Sequence, residues 1–411
     1  MNGPPILTLR LSCRALVLIC AAAALSLAGV ARAGAEAQLL VDVATGKVLH
    51  AENATYPWYP ASVTKIMTAY TTLREVKAGH ISMNTLITVT RDAVAQQPTK
   101  MGLKLGTKVT IDNALKMMMV KSANDIAVAI AEGVGGSIEK FADLMNANAR
   151  RLGMTQTNYV NPNGLPAEGH VTSARDLAIL ARALILEFPQ YNDYWHISAI
   201  RYGNRVIHNY NKLIDRYPGA DGMKTGFICA SGYNLVATAT RNGRRLIAVI
   251  LGAYSGAVRT QQAAQLLEDG FNSGGLSWLT PSLGTVNELA PIDAQPANLR
   301  DEMCGPHRRK PPSEDNNEEE EGVAAAGDTN STSPTFALSN LKAPTAKYVL
   351  GPAIETQPPV VVFTGPADHP DSVDQTARAA GKVKHKKKQK PAAAKPAKRA
   401  KPKSKAASAT Q

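Results

Sequence analysis

Apolar and polar positions change rhythm several times along the chain. Residues 37–43 and 47–50 are strand-like and flank Ala44-Thr45-Gly46, which predicts a hairpin. From 61 to 77 the spacing becomes helical, with Ile66, Met67, Tyr70 and Leu73 in register and Ser62 near the start. A second helical stretch opens at Ile111, with Asp112 as its expected N-cap before Ala114, Leu115, Met118 and Met119. Its apolar run breaks at Lys121-Ser122-Ala123-Asn124 and resumes at Ile126, Val128, Ala129 and Ile130. Residues 141–152 and 176–188 predict two more helices, and 257–271 a last one. Between these, strands at 233–239 and 244–251 join at Arg241-Asn242-Gly243, a strong hairpin turn. Strands at both ends with a helical insertion between them predict an α+β fold rather than alternating βαβ units. Gly133-Val134-Gly135-Gly136 follows a helix, so it predicts a helix terminus and not a phosphate loop.

This regular patterning stops near 275. The first 33 residues carry Arg10 and Arg14, an apolar run over 15–30, and Ala31-Arg32-Ala33, the layout of a cleaved export signal. The expected organisation is a signal at 1–33, one catalytic domain over 34–275 and a short extension at 276–300. A disordered linker over 301–381, interrupted by an apolar patch at 359–363, and a basic low-complexity tail at 382–411 complete it. Export predicts a location in the periplasm or cell envelope, soluble or peripheral. Cys229 and Cys304 would then meet an oxidising compartment. With Cys304 in a region expected to be flexible, no disulfide is expected, and Cys229 is taken as a small buried filler.

Charge changes the picture only at the ends. The chain has 46 Lys+Arg against 33 Asp+Glu, a net +13. The tail holds 12 of the basic residues and the first 33 residues hold three, which leaves 31 basic against 33 acidic over 34–381. A nearly neutral body argues against a nucleic-acid binder and confines any polyanion contact, such as anionic membrane or wall polymer, to the tail. Cysteine and histidine spacing supports no metal site, and no cofactor is expected.

Three short motifs carry the candidate chemistry. Ser62-Val63-Thr64-Lys65 puts a hydroxyl and an ammonium three residues apart at a helix start, on one face. A serine needs a base to become a nucleophile, and a lysine of lowered pKa can serve. Ser122-Ala123-Asn124 interrupts a helix with two polar side chains, suited to a proton relay and to binding a substrate amide. Lys224-Thr225-Gly226 precedes the strand at 233 and is expected on a sheet edge. It offers a cation, a hydroxyl and a glycine that permits close backbone approach. The N–H groups of Ser62 and Phe227 would form an oxyanion hole.

In this order and at this spacing the motifs resemble those of the penicillin-recognising serine enzymes. The chain is most similar to the low-molecular-weight D-alanyl-D-alanine carboxypeptidases. The likeness extends through D-V-A-T-G-K-V-L-H (42–50), P-A-S-V-T-K-I-M-T-A-Y (60–70), N-P-N-G-L (161–165), S-A-R-D (173–176) and G-Y-N-L (232–235), over roughly 36–272. It implies a β-lactamase/DD-peptidase-like fold, an antiparallel sheet flanked by helices with a mostly helical subdomain. It implies that Ser62 forms an acyl-enzyme, Lys65 is its base, and Ser122 passes the proton to the leaving D-alanine. Asn124, Lys224, Thr225, Gly226 and Phe227 would bind a peptidoglycan stem peptide ending in D-Ala-D-Ala, and β-lactams would acylate Ser62. A DD-endopeptidase or a class A-like β-lactamase is the alternative on the same fold. The β-lactamase needs a glutamate base that the stretch around Glu168 lacks. Two features depart from the family: Phe227-Ile228-Cys229 stands where a polar residue or His and then Thr are usual, and 280–411 carries neither a β-rich domain nor an amphipathic anchor helix.

Overall fold

The computed structural model describes residues 36–97, 99–273, 282–306, 350–353 and 357–368. Its chain begins with β1 (Ala37–Asp42) and β2 (Val48–Glu52), then a single 3-10 turn Ala61–Thr64 running into α1 (Lys65–Lys77). The helical insertion follows: β3 (Leu86–Thr88), α2 (Arg91–Ala95), β4 (Lys108–Thr110), α3 (Ile111–Lys121), α4 (Asn124–Gly135), α5 (Ile138–Leu152) and α6 (Ala174–Glu187). A small hairpin, β5 (Ala199–Tyr202) and β6 (Arg205–His208), and α7 (Leu213–Arg216) lead back to β7 (Ala220–Ile228), β8 (Gly232–Arg241) and β9 (Arg244–Ala253). Then come α8 (Gly256–Asn272), α9 (Arg300–Cys304) and β10 (Val360–Val362).

The strands from the two ends of the body meet in one antiparallel sheet, ordered β2-β1-β9-β8-β7. Both of its faces are covered, and the period-two alternation of the strands divides the core accordingly. Ile247, Val249 and Leu251 of β9 join the cluster shared with α1, α3, α4 and α6, whereas Leu246, Ala248 and Ile250 pack with Leu266 and Leu267 of α8. The helical insertion is held by all-apolar stretches such as 126–131 of α4, fully enclosed between α2, α3 and α5.

Three expectations need correction. Thr110, not Asp112, caps α3: its hydroxyl accepts from the Asn113 N–H at 3.3 Å, a contact worth about 1 kcal/mol. Asp112 sits in the first turn, paired with Lys116 at 2.8 Å and accepting from the Tyr194 hydroxyl. The linker expected from 301 is structured at two places. The expected extension and the linker's first residues, 282–306 together, form a strap that pairs Thr285 with Lys47, buries Val286, Leu299 and Met303, and closes with α9. The apolar patch forms β10, which pairs in parallel with β5, while the Gly365 N–H donates to the Lys108 carbonyl. The third correction concerns Cys229 and Cys304, which are joined in a disulfide. The reason is that the strap is not loose. Leu299 donates to the Ala230 carbonyl at 3.0 Å and Met303 packs beside Gly232, so the Cα atoms of the two cysteines stand 5.6 Å apart. The expected signal and the basic tail lie outside the described residues.

Candidate active site

Ser62 sits in a turn that is gripped from three sides. From the sheet, the fully buried Asn234 side chain donates to the carbonyls of Tyr59 and Pro60, both at 3.0 Å, and accepts from the Gly252 N–H at 3.1 Å. Below, the Trp58 indole donates to the Ser231 carbonyl, and the Trp58 backbone pairs with Thr172. On the third side lies the loop 161–165. Ala61 carries a φ of +51°, unusual for a residue with a side chain, and its carbonyl is backed by Gly164. A Cβ at Gly164 would fall 1.8 Å from that carbonyl oxygen, so no other residue fits.

Lys65, one turn further on, is completely buried. Its Nζ donates to Ser62 Oγ at 3.0 Å, to Asn124 Oδ1 at 2.7 Å and to the Asn163 carbonyl at 2.7 Å. The ammonium is thus aimed at the hydroxyl by two other acceptors. The break predicted at 121–124 is the corner between α3 and α4: Ser122 is left-handed (φ +59°) and Asn124 opens α4. Asn124 is fixed further by its Nδ2, which donates to the Gln97 carbonyl, and by its own N–H, which donates to the Thr99 carbonyl. Ser122 Oγ is buried and has no hydrogen-bond partner among the described residues.

Lys224-Thr225-Gly226-Phe227 lies on β7, the sheet edge, as expected. Lys224 and Thr225 are about 1% exposed, and Lys224 Nζ reaches the Thr225 carbonyl at 3.1 Å. Gly226 presses against the Ser62 turn: a Cβ there would lie 2.8 Å from Ser62 N and 3.0 Å from Val63 N. That contact brings the Ser62 end of the turn beside Phe227, whose ring is nearly buried against Tyr233 at 4.3 Å between centroids. The ring is therefore a packing group, and what residue 227 offers the cleft is backbone.

The surrounding loops are fastened by buried polar groups. Asp125 accepts from Met101 N, Gly102 N and Ile126 N, which pins the loop 99–102 over α4. Burial nevertheless holds its carboxyl above the usual carboxylate range. His170 takes the Val160 N–H on Nδ1, so Nε2 bears the proton and donates to Thr64 Oγ1 at 2.9 Å. Burial lowers its pKa to about 4, which keeps this bridge between the Ser62 turn and the loop neutral.

The family model described as D-alanyl-D-alanine carboxypeptidase, peptidase family S11, matches residues 25–255, more than half of the chain. The chain belongs to this family. The D-alanyl-D-alanine carboxypeptidase DacC of Escherichia coli is 38% identical over 244 residues, covering 58% of this chain and 61% of that protein. DacF of Bacillus subtilis is 36% identical, with 58% and 62% covered. The chain therefore spans about three-fifths of the length of the curated relatives it matches. Penicillin-binding protein 5 of Haemophilus influenzae superposes with a TM-score of 0.55 at 33% identity, covering 57% of this chain and 70% of that one. Penicillin-binding protein D2 of Listeria monocytogenes, in an ampicillin-bound form, gives 0.53 at 27% identity, covering 57% of this chain and 96% of that one. All three motifs fall inside the S11 match, whereas the strap 282–306 and β10 fall outside it.

Several positions that hold this family site together carry no role in the sequence reading. Asn163 reaches Lys65 through a backbone carbonyl, which no side-chain pattern announces. Its side chain bonds Gln96. Asn234 and Gly164 lie in G-Y-N-L and N-P-N-G-L, segments that signalled resemblance without a task. From this loop a carbonyl, not a carboxylate, faces Lys65, and Glu168 is exposed.

Proposed function

We propose that the protein is a penicillin-sensitive serine D-alanyl-D-alanine carboxypeptidase that trims peptidoglycan stem peptides. The observation that carries this reading is the buried Lys65 Nζ at 3.0 Å from Ser62 Oγ, held there by Asn124 and Asn163. Lys65, as the free amine, takes the Ser62 proton while Oγ attacks the carbonyl of the penultimate D-alanine. The N–H groups of Ser62 and Phe227 stabilise the oxyanion. Ser122 passes the proton to the departing D-alanine amine, and its unpartnered oxygen supports that part. Asn124 binds the peptide amide, while Lys224 and Thr225 receive the terminal carboxylate. Water then hydrolyses the ester and returns the enzyme. A β-lactam acylates Ser62 by the same attack.

Fluorescent penicillin should label the wild-type chain and not Ser62→Ala, and a peptide ending in D-Ala-D-Ala should release D-alanine. Label persisting on the Ala variant, or product analysis showing only cross-link cleavage, would overturn the reading. Export supplies the setting: mature protein should begin near Gly34, which N-terminal sequencing checks. The basic tail would hold the enzyme against anionic lipid or wall polymer, with each lysine contributing about 1 kcal/mol. Truncation before Lys382 should raise the soluble fraction; unchanged fractionation would count against tethering. Among the described residues, no helix is long and apolar enough to cross a membrane.

A further inference from the structure

The turn that joins β7 to β8, Cys229-Ala230-Ser231, is held from two sides. On one side it grips the nucleophile turn. The Ser231 carbonyl takes the Trp58 indole N–H at 3.0 Å, and Asn234, near the start of β8, holds the carbonyls of Tyr59 and Pro60. The buried Ser231 hydroxyl ties this grip to β7: it accepts the Ile228 N–H at 3.3 Å and donates to the Gly232 carbonyl at 2.8 Å. On the other side the turn carries the end of the strap. Leu299 donates to the Ala230 carbonyl at 3.0 Å, Met303 packs on Gly232, and Cys304 is bonded to Cys229. Cys304 lies beyond the family match, so this bridge fastens the matched body to a segment outside it.

Phe227, whose N–H the proposed function places in the oxyanion hole, stands two residues before Cys229. The bridge therefore bears on the chemistry through a short stretch of backbone. Lys224 and Thr225 are fixed further along the β7–β8 ladder, opposite Val236 and Leu235. Two features make the bond a control as well as a staple. Both cysteines are half-buried, which leaves the sulfurs within reach of a dissolved dithiol. The strap is also anchored upstream: Thr285 pairs with Lys47, Arg175 donates to the Asn287 carbonyl and Gln156 to the Ile292 carbonyl. Opening the bond thus loosens residues 299–306 and the turn, while the upstream anchors keep Cys304 near Cys229 for reclosure.

We propose that the Cys229–Cys304 disulfide is a redox control on Ser62: a dithiol reductant opens it and slows acylation, and reoxidation restores the rate. A thiolate of the reductant attacks one sulfur, and its second thiol then resolves the mixed disulfide. Two electrons pass, so the reductant leaves as a disulfide and Cys229 and Cys304 become thiols. The inference rests on the assignment of Ser62 as the acylated nucleophile. The test treats the full chain with dithiothreitol and removes the reagent by gel filtration. One aliquot is trapped with iodoacetamide and mapped for Cys229 and Cys304; the rest is followed by circular dichroism and by penicillin labelling at room temperature. Labelling should slow by about tenfold, part of the roughly 10²–10³ that a lost oxyanion donor costs. The loss should fall on the limiting acylation rate and not on the half-saturating penicillin concentration, because the carboxylate site keeps its ladder. Reoxidation in air should restore the rate, and Cys229→Ser/Cys304→Ser should label at the reduced rate with or without dithiothreitol treatment. The proposal is overturned by a bond that resists dithiothreitol in the folded chain, by a reduced chain that loses its fold or labels at full rate, or by a shift in half-saturation alone. A variant that labels at the oxidised rate, or still responds to dithiothreitol, overturns it too. If the oxidised enzyme takes no penicillin at all, the Ser62 assignment itself falls and takes this inference with it.

Discussion

Gly226→Ala isolates how much the chemistry depends on the fit between β7 and the Ser62 turn. Gly226 is not in the left-handed region, so alanine costs nothing in backbone conformation; the whole effect is steric. The added Cβ would lie 2.8 Å from Ser62 N, 3.0 Å from Val63 N and 3.2 Å from the Pro60 carbonyl, all backbone atoms. Restoring an ordinary contact of 3.4 Å to Ser62 N needs a separation of about 0.6 Å. The turn cannot yield easily, because Asn234 and Gly164 hold its other sides. We expect overpacking to cost about 1–3 kcal/mol of stability. The larger effect falls on the oxyanion: displacing one of two N–H donors costs about 3 kcal/mol, or 10²–10³ in acylation rate. The assay is the second-order rate of penicillin labelling, with circular dichroism and a thermal melt to establish folding. Gly351→Ala serves as the control, a glycine outside the left-handed region with nothing near its Cβ. A folded Gly226→Ala enzyme that labels within threefold of wild type would refute the oxyanion assignment for Ser62 and Phe227.

Further outcomes follow from the supporting residues. The disulfide closes a loop with a sequence separation of 75, so Cys229→Ser/Cys304→Ser should lose about 4 kcal/mol and lower Tm by roughly 10 °C; an unchanged melt would show the strap to be held by packing alone. Asn234→Ala leaves three backbone groups, two of them in buried hydrogen bonds, without their partner, and should cost roughly 2–4 kcal/mol and slow penicillin labelling; full-rate labelling would show that the Ser62 turn keeps its shape without it. His170 has a folded pKa of about 4 against an ordinary value of 6.5, so the unfolded chain binds the extra proton first as pH falls. Its contribution, about 3 kcal/mol, should be fully present above pH 6.5 and disappear between 6.5 and 4. Denaturant midpoints measured across that window should slope less in His170→Gln; equal slopes would reject the assignment.

The sequence disclosed the parts of this fold whose periodicity is long and whose turns are chemically marked. The hairpin at Asn242-Gly243, the amphipathic run of α1 and the polar break between α3 and α4 all lie where patterning puts them. The short pairs β3–β4 and β5–β6 were not legible, because three or four residues are too few to show alternation. The same limit hid β10, three valines in a Pro-rich stretch whose pairing partner lies about 160 residues earlier. Thr110 lost to Asp112 in the sequence reading because both are good caps, and only the backbone start of α3 separates them. At the site, side chains that carry chemistry were legible and the groups that aim them were not. The Asn163 carbonyl and the Gly164 contact belong to the backbone, and the strap cysteine was misread because its environment is made by tertiary packing.

The β10 ladder also has a mechanical consequence. The chain continues from 368 into the lysine-rich end, so any surface that grips that end loads β10 first. β10 is a three-residue parallel strand on β5, supplemented by the Phe363 N–H to Asn113 and the Gly365 N–H to Lys108. Asn113 belongs to α3, the helix that ends at Ser122. If the tail is held as proposed above, drag on the enzyme would therefore fall on a handful of hydrogen bonds. These would give way as a fuse before the tension reached the corner that carries Ser122 and Asn124.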